Sequence, residues 1–88
     1  MIMVDYKVPN GKLIRLRAKV DGGKICSVKI TGDFFLHPEE RLVELEKELV
    51  GKKLEKVTLQ KTVSETLAGC QMVGFSTEEL VNVLLKLC

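Results

Sequence analysis

The stretch LIRLRAKVDGGKICSVKIT, residues 13–31, decides the fold of this chain. Its first part alternates strictly, with Ile14, Leu16, Ala18 and Val20 on one face and Arg15, Arg17 and Lys19 on the other. A period of two is the mark of a strand with one side in water. Asp21-Gly22-Gly23-Lys24 follows and accepts positive φ; Cys26, Val28 and Ile30 then alternate with Ser27, Lys29 and Thr31. The two runs predict a hairpin, with Cys26 as a small residue of its core face. Upstream, Val4 to Val8 runs into Pro9-Asn10-Gly11-Lys12, a second turn signal. The front half therefore reads as a three-stranded antiparallel meander.

At Pro38 the period changes from two to about 3.6. Pro38 suits the first position of a helix, and Glu39 and Glu40 put negative charge at the positive end of its dipole. Leu42, Leu45 and Leu49 make one stripe opposite Glu44, Lys47 and Glu48, and Gly51 is a natural stop. Leu59, Val63 and Leu67, four apart with Gly69 behind them, suggest a second helix within the otherwise ambiguous residues 55–72. A third begins at Thr77, where Ser76 and Glu79 form a capping box and Phe75 and Leu80 a hydrophobic staple. From Leu80 to Leu87 only Asn82 and Lys86 are polar, so more than one face of this helix needs cover, and another protein is a candidate for part of it. Strands followed by helices predict an α+β domain, a three-stranded antiparallel sheet with about three helices on one face.

Residues 1–88 are read as one domain, since a chain this short has no room for a second core. Area scaling for its mass leaves roughly 5,200 Å² exposed after folding. With 45% hydrophobic and 30% charged residues the composition is that of a globular protein. A net charge of +2 gives no bulk field for nucleic acid or membrane, so partner choice falls to a local patch. No apolar run approaches the ~20 residues of a bilayer span, and Met1-Ile2-Met3-Val4-Asp5 lacks the features of a signal peptide. A cytoplasmic location is expected. Cys26, Cys70 and Cys88 are 44 and 18 residues apart, without a C-x-x-C, and read as thiols.

The inventory for chemistry is poor: one histidine, three scattered cysteines and no phosphate-cradling glycine loop. No catalytic or metal-binding residue is assigned. His37 reads as the end of a loop. The unusual segment is Gly32-Asp33-Phe34-Phe35-Leu36-His37-Pro38-Glu39-Glu40, which holds two of the four aromatic residues. Phe34 and Phe35 could close the core while Asp33 accepts amide hydrogen bonds. Adjacent aromatics on a turning segment rarely both point inward, so a partner contact is the other reading for at least one. Arg15, Arg17, Lys19 and Lys29 share the outer face of the hairpin, where charge keeps a strand soluble. No aromatic is interleaved with them to stack on bases.

The segment GKLIRLRAKVDGGKICSVKITGDFFLHPEERLVELEKELVGKKL, residues 11–54, resembles the C-terminal domain of lipoate-protein ligases, chiefly in ITGDFF followed by PEE, a leucine-patterned helix and a glycine. Val73-Gly74-Phe75-Ser76-Thr77-Glu78-Glu79-Leu80 is similar to that family's closing helix. The resemblance implies the accessory, non-catalytic part of a split enzyme. Its catalytic subunit would bind ATP, magnesium and lipoate, form lipoyl-AMP and pass the lipoyl group to a lysine of an acceptor domain. This chain would bind no cofactor and would form a heterodimer with the catalytic subunit through Gly32, Asp33, Phe34, Phe35, Pro38, Glu39 and Glu40. The domain also resembles iron-sulfur scaffolds of the NifU/IscU type, in which three strands run into helices. Those scaffolds place a cysteine after the glycine that ends the third strand, where this chain has Asp33. A small RNA- or protein-binding module is the remaining alternative, resting on the basic hairpin face.

Overall fold

The computed structural model describes residues 1–9 and 11–88. Three strands, β1 (Ile2–Lys7), β2 (Leu13–Asp21) and β3 (Lys24–Gly32), form an antiparallel sheet in the order β1-β2-β3. The turn between β1 and β2 is closed by the Gly11 amide donating to the Val8 carbonyl and the Val8 amide donating to the Lys12 carbonyl. Its expected residue Asn10 lies outside the described part of the chain. Gly22 and Gly23, both with positive φ, make the tight β2–β3 connection.

The alternation in β2 is realised in full: Ile14, Leu16 and Ala18 are buried while Arg15, Arg17 and Lys19 face water. β3 departs from its expected phase. Val20 pairs with Ile25 and Lys19 with Ser27, so Cys26 is the inserted residue of a β-bulge. Cys26 is thereby turned out to solvent and Ile25 takes its place in the core, while Ile30 keeps the inward phase. Cys26 is not the core residue that its spacing suggested, because one extra residue flips every side chain beyond it.

Two further strands, not expected from the sequence, build a separate ribbon: β4 (Phe35–His37) pairs antiparallel with β5 (Gln71–Val73). Each has only three residues, too few for a legible alternation. Between them come α1 (Glu40–Leu49) and α2 (Lys56–Thr66); α3 (Thr77–Leu85) follows. The first helix starts later than Pro38 suggested. Pro38 and Glu39 instead form the turn that precedes it, with the Arg41 amide donating to the Pro38 carbonyl and the Leu42 amide to the Glu39 carbonyl. Glu40 sits in the first turn, where a carboxylate is favoured by the dipole. Gly51 adopts a φ of 85°, as a residue beyond a helix C-cap often does.

All three helices lie on one face of the sheet, α1 beside β3, α3 over β2 and α2 against the other two. The Ser76 hydroxyl accepts the Glu79 amide at 3.2 Å, and Phe75 and Leu80 are both buried as a staple requires. Leu80, Val81, Val83, Leu84 and Leu87 are all buried within this chain. The broad apolar surface of α3 is thus covered by β2 and α2, and no second protein is needed for it. Each such side chain contributes on the order of 2 kcal/mol. The folded chain exposes 5250 Å², in line with scaling for its mass.

Candidate functional site

The segment that leaves β3 is anchored at its first residues. The Asp33 amide donates to the Leu13 carbonyl at 3.3 Å, and the Asp33 carboxylate accepts the Leu13 amide at 2.7 Å. Gly32 is required beside this clamp, since a Cβ there would lie 2.1 Å from the Leu13 carbonyl oxygen. From that fixed point the two phenylalanines part. Phe34 is half-buried, its ring centroid 4.7 Å from that of Phe75. Leu36 points into the core, and the alternation of β4 sends Phe35 and His37 to the opposite side. Their rings lie nearly parallel, 6.3 Å apart.

Phe35 belongs to an exposed apolar patch. Its partner in the β4–β5 register is Val73, and Val43 on α1 lines the same groove as Phe35. The three are 47, 49 and 49% exposed respectively. The groove measures about 390 Å³ and runs between the end of β3 and the first turns of α1. Ile30, Phe34, Leu36 and Leu42 contribute apolar wall, with Glu39 and Lys29 also lining it. Of the residues expected at an interface, Gly32, Phe34, Phe35 and Glu39 come together here. Asp33 is committed to the Leu13 backbone, Pro38 is half-buried before the helix, and Glu40 is exposed but does not line the groove.

Glu46 was not singled out in the sequence and proves central to this wall. Its carboxylate accepts the Ile30 amide at 2.7 Å, occupying a donor on the open side of β3, and lies 3.8 Å from the Lys29 ammonium. The signal for it was weak but present: Glu46 stands four residues after Leu42 and three before Leu49, on the flank of the apolar stripe. Nearer the hairpin, the Ile25 amide donates to the Lys52 carbonyl, while Ile25 and Gly23 carbonyls accept amides from Gly51 and Leu54. β3 is protected along this side by residues of its own chain.

The basic face of the hairpin is partly neutralised, since Arg15 pairs with Asp5 at 3.0 Å and Lys29 with Glu46. Among the described residues no group of three or more His, Cys, Asp or Glu side chains could hold a metal ion. Cys26 is exposed on the bulge, Cys70 is half-buried and Cys88 is exposed at the far end of the chain. No helix among the described residues is long and apolar enough to cross a membrane.

Comparison with known proteins gives this geometry its context. Residues 2–84 match the family model described as bacterial lipoate protein ligase C-terminus. The chain belongs to that family. Over 57 residues it is 39% identical to lipoate-protein ligase A subunit 2 of Thermoplasma acidophilum, an alignment covering 65% of this chain and 60% of the relative. The match thus spans less than two thirds of that relative's length. A chain from the structural analysis of an archaeal lipoylation system, a bi-partite lipoate protein ligase and its E2 lipoyl domain from Thermoplasma acidophilum, has the same fold. The TM-score is 0.77 at 28% identity, over 94% of this chain and 97% of that one. This ligase C-terminal domain therefore has the α+β architecture of that relative, and the groove beside β3 is a feature of a ligase module.

Proposed function

We propose that this chain is the accessory, non-catalytic subunit of a split lipoate-protein ligase, required with a catalytic subunit for ATP-dependent activation of lipoate to lipoyl-AMP. Transfer of the lipoyl group to a lysine of an acceptor domain would follow on the larger subunit. The reading rests above all on the likeness, over nearly the whole of both chains, to a chain from a bi-partite ligase. ATP, magnesium and lipoate are assigned to the catalytic subunit.

The contribution of this subunit is then conformational. Phe35, Val43 and Val73 form a patch that a folded partner can cover at the gain of apolar burial. The clamp between Asp33 and Leu13 holds the loop behind Phe35 in place, so little ordering cost is added on binding. A partner that docks on this patch better in its activation-competent state is shifted toward that state by the difference in binding free energy, as when closing loops complete an adenylation site. Co-purification of the two subunits, followed by an assay of lipoyl-AMP formation with and without this chain, tests the proposal. An equal rate in its absence would overturn it.

A further inference from the structure

The two edges of the main sheet are treated differently. The outer side of β3 is bonded to residues 51–54 and to Glu46. Among the described residues β1 has no such backbone cover. The Val8 amide bonds back to Lys12 and the Leu13 groups bond to Asp33, which fixes the phase of the ladder. Even-numbered residues of β1 direct their backbone groups at β2, and Met3 and Asp5 direct theirs outward. Among the described residues neither of these outward amides has a backbone partner. β1 carries charge at Asp5, which pairs with Arg15, and at Lys7, whose ammonium donates to the Gly11 carbonyl. Its first residues, Ile2-Met3-Val4, and Met1 before them have no charged side chain, and Met1 and Met3 are 78 and 60% exposed. Natural edges are normally blunted by charge, proline or a covering loop. Here the charges are engaged within the chain, and the first residues of the edge are left ready to pair.

We infer that β1 receives an extended segment of the catalytic ligase polypeptide, which adds a fourth strand to the sheet by main-chain pairing at Met3 and Asp5. The inference rests on the proposed function and names the anchoring contact within it. The occupant follows from the direction of the family's chain. Residues 2–84 correspond to the C-terminal part of lipoate ligases, so in a fused member the rest of the enzyme is tethered at Ile2, the first residue of β1. A covalent tether at that residue keeps the catalytic part within reach of this edge. Separate polypeptides that keep the same arrangement need non-covalent contacts at that place. Open backbone donors flanked by exposed methionines provide them through β-strand addition. The Phe35 groove lies beside β3, at the other edge of the sheet, leaving holding and activation to different parts of the surface.

Amide hydrogen exchange on the free chain and on the purified two-subunit complex tests this directly. Val4 and Tyr6 amides, bonded to β2, should be slow in both; those of Met3 and Asp5 should be fast in the free chain and at least about tenfold slower in the complex. Met3→Pro, which removes an outward donor without touching the β1–β2 ladder, should raise the Kd of the complex at least about tenfold. If that variant fails to fold, the exchange result on the unmodified chain still decides. A stable complex in which the Met3 and Asp5 amides stay fast would overturn this inference and leave the proposed function standing. Protection that rises with the concentration of the free chain would make a second copy the occupant and also overturn it. Failure of any complex to form would sink both.

Discussion

Asp33 and Leu13, twenty residues apart, exchange two hydrogen bonds: the Asp33 amide donates to the Leu13 carbonyl, and the Leu13 amide donates to the Asp33 carboxylate. This closes the sheet where the chain turns toward the phenylalanine segment. Asp33→Asn keeps an acceptor oxygen and should cost little, whereas Asp33→Ala should lose about 1 kcal/mol. Gly32→Ala should cost more, about 3 kcal/mol, because its Cβ meets the Leu13 carbonyl. Urea denaturation of the isolated chain measures all three, and a stable Gly32→Ala protein would refute the close approach.

The neighbouring phenylalanines should separate stability from function. Phe34→Ala removes a ring packed on Phe75 and should lower stability by about 2 kcal/mol, less than for a fully buried ring. Phe35→Ala removes an exposed ring and should change stability by no more than about 0.5 kcal/mol, while lipoyl-AMP formation by the two-subunit enzyme falls about tenfold. Unchanged lipoyl-AMP formation with Phe35→Ala would remove the groove from the proposed interface.

Glu46 should matter as a hydrogen-bond acceptor and hardly at all as a charge. Its ion-pair partner Lys29 is well exposed and 3.8 Å away, a geometry in which pairing contributes little. Glu46→Gln can still accept the Ile30 amide and should stay within about 0.5 kcal/mol of wild type; Glu46→Ala leaves that donor unpaired and should lose about 1–3 kcal/mol. Equal losses in both variants, abolished by high salt, would point to the charge instead.

Cys26 should react with a thiol reagent in the native protein about as fast as in the unfolded chain, since the bulge turns it to solvent. Half-buried Cys70 should lag behind it. Cys26→Ser should leave stability within about 0.5 kcal/mol of wild type. A native-state Cys26 that resists modification would mean that β3 pairs without the bulge.

The amino-acid sequence by itself determined the layers of this protein, because the clearest signals in it are local ones. A period of two in residues 13–20, a stripe at Leu42, Leu45 and Leu49, and a capped start at Ser76 each express the geometry of a single element. Residues 32–40 stood out for the same reason, two aromatics side by side on a turning segment. Tertiary structure alone decided what depends on contacts between distant residues. The bulge at Cys26 belongs to the pairing of β3 with β2, and the β4–β5 ribbon exists only because Phe35 and Val73 are brought together. The choice of Phe34 for the core and Phe35 for the surface rests on Phe75, forty-one residues beyond Phe34. The cover over α3 comes from β2 and α2 of the same chain, which no one-dimensional pattern could distinguish from the cover of a partner.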